Sequence, residues 1–141
     1  MNSDPILLIE DNADDELLTI RAIKKNNILN QVIVAHDGKE ALELLFAEGE
    51  NKCQACEPKV ILLDLNLPKI SGLDVLKAIR EDQRTRNYPV VILTSSKEEE
   101  DIKKSYTLGA NSYIRKPVDF DQFTDTIKQL GSYWLQLNET I

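Results

Sequence analysis

Three short, unbroken apolar runs constrain this chain most: Pro5-Ile-Leu-Leu-Ile9, Val60-Ile-Leu-Leu63 and Pro89-Val-Val-Ile-Leu93. A run of this length without alternation needs cover on both faces, as for a strand inside a parallel sheet flanked by helices. Each run ends in polar groups: Glu10-Asp11, Asp64 and Thr94; a further strand pattern, Ser112-Tyr-Ile-Arg115, leads to Lys116-Pro117. Ligands of such sheets bind beyond the carboxyl ends of the strands. Three carboxylates, one hydroxyl and one ammonium therefore converge on one edge, a set suited to a divalent cation and a phosphoryl group.

Helical patterns separate the strands. Asp14–Asn27 predicts a helix with Leu17, Leu18, Ile20 and Ile23 inward, followed by a β-branched strand over Gln31–Ala35. Asp37, with Glu40 three positions on, reads as a capped start for a helix carrying Ala41, Leu42, Leu44, Leu45 and Phe46. After a polar loop over Glu48–Glu57, the third strand spans Lys59–Asp64, and a helix follows over Leu73–Arg80. Ser95 or Ser96 is placed to cap a helix over Glu98–Leu108, which Gly109 ends in a left-handed conformation. Asp119, with Gln122 three later, opens a last helix extended to about Leu137, where Gly131 marks a kink. Strict alternation predicts an α/β fold. Its parallel sheet has five strands, ordered 2-1-3-4-5 in the flavodoxin-like arrangement, with helices on both faces. Residues 1–141 read as one domain.

Composition removes several functions. A formal charge of −7 opposes nucleic-acid binding, which needs a basic face. No apolar stretch is long enough for a membrane span and no leader pattern is visible, so the expected location is the cytoplasm. Cys53 and Cys56 form a C-x-x-C in a polar stretch, but with His36 as the sole histidine a zinc ligand set is incomplete. The motif also does not open a helix after a strand, as a redox pair would. The two thiols read as loop residues.

The ordered set Glu10-Asp11, Asp64, Thr94 and Lys116-Pro117 on successive strand ends resembles the CheY-like receiver domains of bacterial response regulators, over essentially the whole chain. The segments I-E-D-N, L-D-L-N-L-P, L-T-S and R-K-P-V-D further resemble single-domain receivers paired with phytochrome-type histidine kinases. The resemblance implies a stand-alone regulator whose Asp64 accepts a phosphoryl group from a histidine kinase. It implies Mg2+ held by Glu10, Asp11, Asp64 and the backbone carbonyl of Asn66. Thr94 and Lys116 would contact the phosphoryl oxygens, and Pro117 would form a cis turn that aims the lysine. Such a chain promotes its own phosphorylation and dephosphorylation and carries no separate catalytic domain.

In this family the switch couples the threonine to an aromatic on strand five, here Tyr113. Val118 stands where chemotaxis members carry an aromatic, which points away from a flagellar-motor target. The stripe Phe120, Phe123, Ile127, Leu130, Trp134 and Leu137 runs beyond the usual domain length. Tyr106, Phe123, Tyr133 and Trp134 are accordingly expected on a partner or homodimer face built from the fourth helix, fifth strand and fifth helix.

Two rival classes fit less well. An aspartate-nucleophile phosphatase places a second Asp two residues after the nucleophile, where this chain has Asn66. A flavodoxin needs a hydroxyl- and amide-rich phosphate loop after strand one, where Glu10-Asp-Asn-Ala-Asp-Asp15 would repel an anionic cofactor. A degenerate receiver is disfavoured because every residue the chemistry needs is present.

Overall fold

The computed structural model describes residues 4–46, 57–116 and 119–137. Cys53, Cys56, Pro117 and Val118 lie outside the described residues, and with them the proline turn. Five strands, β1 (Ile6–Ile9), β2 (Val32–Ala35), β3 (Val60–Leu63), β4 (Val90–Thr94) and β5 (Ser112–Arg115), alternate with five helices. These are α1 (Ala13–Lys25), α2 (Gly38–Leu45), α3 (Gly72–Glu81), α4 (Glu99–Thr107) and α5 (Phe120–Gly131). The sheet is parallel throughout with the expected order β2-β1-β3-β4-β5.

The apolar runs behave as their lack of alternation demands: every residue of β1, β3 and β4 is buried. Successive side chains feed opposite cores. Leu7, Ile9, Ile61, Leu63, Val90 and Ile92 pack with Ala41 and Leu45 of α2 and Val75, Leu76 and Ile79 of α3. Ile6, Leu8, Val60, Leu62, Val91 and Leu93 pack with Ala22 and Ile23 of α1 and Phe123, Ile127 and Leu130 of α5. The sheet is thus held rigidly between two apolar layers, and its carboxyl edge becomes a fixed platform.

Helix starts follow side-chain chemistry. Asp37 and Asp119 cap α2 and α5 by accepting from the N–H groups of Glu40 and Gln122, as the spacing predicts. Asn12 accepts from the Asp15 N–H, so α1 begins at Ala13 rather than Asp14. Its inward face is Thr19, Ala22 and Ile23; Leu17, expected inward, is 51% exposed because it lies off that stripe. The serine cap expected for α4 does not form. Glu98 holds the cap position without a side-chain bond, while the Ser96 hydroxyl donates to Asp101 Oδ2 at 2.6 Å. Gly109 does adopt a positive φ of 102° and ends α4.

The last helix is not continuous. At Gly131 the α-helix gives way to a π-helical turn over Ser132–Leu137. Gly131 packs closely on Ile28, whose Cδ1 would lie 2.7 Å from an added Cβ. The wide turn brings two consecutive residues, Trp134 and Leu135, into the core. Phe123 and Trp134, at 5% and 9% exposure, are therefore internal packing residues rather than members of an exposed face. Tyr106 and Tyr133, each 50% exposed, remain at the surface.

Candidate functional site

The ladder continues one step past each strand end and sets the site residues in place. The Glu10 N–H donates to the Ala35 carbonyl (3.0 Å), that of Asp64 to Ile9 (3.1 Å), and that of Lys116 to Thr94 (2.8 Å). Gly72 lets the β3–α3 loop close on the same edge: a Cβ there would lie 2.2 Å from the Asp64 carbonyl oxygen. Any other residue would push the loop away from Asp64.

Asp64 is buried, and both its oxygens are engaged. Oδ1 accepts from the Thr94 hydroxyl at 2.8 Å and the Asn66 N–H at 3.2 Å. Oδ2 faces the Lys116 ammonium at 3.1 Å. That ammonium also reaches Glu10 Oε1 at 2.5 Å and Asp15 Oδ2 at 2.9 Å. Glu10 is buried, and its Oε2 accepts the Asn12 N–H at 3.3 Å. Tyr113 is half-buried, and its hydroxyl donates to the Ser96 carbonyl at 2.8 Å.

These contacts divide the protons. Burial pushes the Glu10 carboxyl up to about 7, helped by the neighbouring Asp64 and opposed by Lys116. Burial also works to raise Asp64, but its interactions with Glu10, Lys116, Asn66 and Thr94 outweigh it and hold the carboxyl below its ordinary value. Lys116 is pulled down by burial, yet the carboxylates of Glu10, Asp15 and Asp64 hold its pKa above that of a free lysine. The proton of the buried carboxylate pair thus belongs to Glu10, and Asp64 stays ionised, the form a nucleophile requires.

Glu10, Asp11 and Asp64 offer oxygen atoms that all lie within 4.8 Å of one another. With Asp11 exposed and the other two buried, the cluster opens toward solvent on one side. A hard divalent cation takes such an all-oxygen donor set, and the excess of negative charge over one ammonium favours it. The structure brings together all the strand-end residues that the sequence singled out: Glu10, Asp11, Asp64, Thr94 and Lys116. Sequence reasoning missed Asp15, taken only as part of the acidic stretch Glu10-Asp-Asn-Ala-Asp-Asp15 after strand one. Its signal was available, since Asp15 shares the spacing of Leu18, Thr19 and Ala22 on the inward stripe of α1.

A doubly wound parallel sheet with an acid cluster, threonine and lysine on its carboxyl edge defines a phosphoacceptor module. Residues 6–128 match the response regulator receiver domain, and the chain belongs to that family. Its role is that of a phosphoacceptor in two-component signalling, in which receivers take phosphate from histidine kinases. It is 37% identical over 136 residues to the probable methanogenesis regulatory protein FilR2 of Methanothrix harundinacea (strain 6Ac), spanning 96% of this chain and 86% of that one. Response regulator Rcp1 of Synechocystis sp. (strain ATCC 27184 / PCC 6803 / Kazusa) is 36% identical over 131 residues, 93% of this chain and 88% of the relative. An Mn2+-bound crystal structure of Rcp1 superposes with a TM-score of 0.89 at 34% identity, covering 98% and 99% of the two chains. The phosphorylated cyanobacterial phytochrome response regulator RcpA superposes with a TM-score of 0.90 at 38% identity, covering 97% of each chain. Among the described residues, no helix is long and apolar enough to cross a membrane.

Proposed function

We propose that Asp64 is the residue that takes the phosphoryl group, in a cytoplasmic regulator served by a phytochrome-type histidine kinase. The observation that carries this reading is the double engagement of one ionised carboxylate, by the Thr94 hydroxyl on Oδ1 and the Lys116 ammonium on Oδ2. An Asp64 oxygen attacks the phosphorus of a phosphohistidine, the P–N bond breaks, and the histidine leaves with its electron pair. An acyl phosphate remains. Glu10, Asp11, Asp64 and the Asn66 carbonyl would hold Mg2+, Glu10 through water, and the ion would supply positive charge that offsets the charge on the transferring group.

Lys116 supplies a mobile charge to the phosphoryl oxygens, and Thr94 donates its hydroxyl to one of them. Thr94 is coupled to Tyr113 through Ser96, whose N–H lies 3.5 Å from Thr94 Oγ1 and whose carbonyl accepts the Tyr113 hydroxyl. A shift of Thr94 toward phosphate moves that loop and re-biases Tyr113. The output face is α4–β5–α5, where Tyr106 of α4 is exposed for a partner or a second copy; Tyr133, in the turn that follows α5, is exposed as well. Similarity to Rcp1 and to the phytochrome regulator RcpA supports the kinase class. The test is phosphotransfer from a purified, prelabelled phytochrome-type histidine kinase. Label should reach the wild type in the presence of Mg2+ and not Asp64→Asn; failure to label the wild type would remove the kinase assignment.

A further inference from the structure

Lys116 has three N–H donors, and three carboxylates meet them: Glu10, Asp15 and Asp64. The ammonium is well buried, its side chain only 9% exposed. Two of the three partners, Glu10 and Asp64, also belong to the cluster that fits a divalent cation, whereas Asp15 does not. Ammonium and cation therefore compete for the same two carboxylates. Each gains what the other loses.

Asp15 stands outside that competition and is firmly placed. Its N–H donates to Asn12 Oδ1 at 3.0 Å, and its carbonyl accepts the hydroxyl of the buried Thr19 at 2.8 Å. The first turn of α1 thus holds the Asp15 backbone on both sides, with the carboxylate turned to Lys116.

We infer that Asp15 is a positioning residue: it seats the Lys116 ammonium when a divalent cation takes Glu10 and Asp64, so that cation and lysine occupy the site together. This rests on the phosphoacceptor reading and deepens it. Without Asp15, the lysine relies wholly on Glu10 and Asp64 and opposes the cation more strongly. The acidic residue beside it, Asp14, is exposed and serves as a charge-matched control.

The test is a double-mutant cycle read by calorimetric titration of Mg2+ at pH 8, with thermal melting as a check on folding. Asp15→Asn should weaken Mg2+ binding about tenfold, the scale of one charge-assisted hydrogen bond. Asp14→Asn should leave it within about twofold, since an exposed charge is largely screened. In a Lys116→Met background, Asp15→Asn should change it less than about twofold. Equal losses in both backgrounds would show that Asp15 acts on the cation by charge alone and would overturn its role as a seat. Absence of Mg2+ binding by the wild type would instead defeat the underlying metal reading, and this inference with it. Should Lys116→Met fail to fold, hydrogen exchange at the Lys116 ammonium gives the same answer. Its protons should stay protected on Mg2+ addition in the wild type and lose protection in Asp15→Asn; loss in both would overturn the role.

Discussion

The Tyr113 hydroxyl donates to the carbonyl of Ser96 at 2.8 Å, tying β5 to the loop that follows Thr94. Ser96 is held from its other side as well, its N–H facing Thr94 Oγ1 at 3.5 Å. One residue therefore links the hydroxyl beside Asp64 to the aromatic ring of Tyr113 on β5. Tyr113→Phe should cost about 1 kcal/mol of stability, the net value of one hydrogen bond. Amide exchange at Ser96–Glu98 should accelerate, while the yield of phosphorylation at saturating phosphodonor stays unchanged. A fall in yield would place Tyr113 in the chemistry and not downstream of it.

Thr94→Val keeps the shape of the side chain and removes the donor to Asp64 Oδ1. A bond to a buried carboxylate is worth about 1.5–3 kcal/mol, and urea unfolding at pH 8 should register a loss of that order. The sign of the pH dependence follows from the direction of the Asp64 shift, which Thr94 helps to lower. A depressed carboxylate stabilises the fold above its unfolded pKa, and that contribution fades as pH falls through the folded value. The valine variant should therefore differ from the wild type least under strongly acidic conditions.

Glu10 behaves oppositely. Its folded pKa is raised by burial from 4.5 to about 7, so between those values the native state binds more protons than the unfolded chain. The Glu10 contribution is complete below 4.5 and is lost as pH rises through about 7. Stability should decline across this window by about 3 kcal/mol from this group. Glu10→Gln should flatten the slope, as measured by urea unfolding at a series of pH values. An unchanged slope in the glutamine variant would assign the titration elsewhere. Mg2+, which needs the ionised carboxylate, should bind more tightly as pH rises through 7.

For self-association, Tyr106 and Tyr133 are the informative positions because they are surface residues, whereas Phe123 and Trp134 belong to the core. On the homodimer proposal, Tyr106→Glu should lower the light-scattering mass toward that of a monomer while leaving the melting temperature nearly unchanged, and a monomeric wild type with and without phosphate would remove that proposal. A mass insensitive to Tyr106 and Tyr133 would move the interface to another face. Trp134→Ala would mislead here, since it opens a cavity worth about 3–5 kcal/mol.

The parts legible in the sequence were those set by local chemistry. Unalternated apolar runs marked β1, β3 and β4, and Asp37 and Asp119 announced their helices through the residue three positions on. The illegible parts depend on what a side chain meets in space. Ser96 has the spacing of a cap, yet Asp101 takes its hydroxyl and leaves α4 uncapped. Leu17 is as apolar as Leu18 but falls off the stripe that α1 turns inward. Asp15 looks like one more charge of the acidic stretch after strand one until Lys116, 101 positions on, is seen against it. Gly131 marked the break in the last helix, but the three-four spacing after Phe120 did not show that the turn beyond it widens, which the packing of Gly131 on Ile28 accompanies. Arg80 read simply as a helix end. Its guanidinium in fact clips the carbonyls of Arg86, Tyr88 and Gly109 and the side chain of Asn111, joining α3 to the end of α4.

Phosphorylation of one particular carboxylate is the central claim, and intact-mass spectrometry tests it most directly. Wild type and Asp64→Asn are incubated with Mg2+ and a small-molecule phosphodonor such as acetyl phosphate. The expected result is one added phosphoryl group on the wild type, removed by mild base, and none on the variant. Addition to both proteins, or to neither while both remain folded, would contradict the assignment of Asp64 as the acceptor.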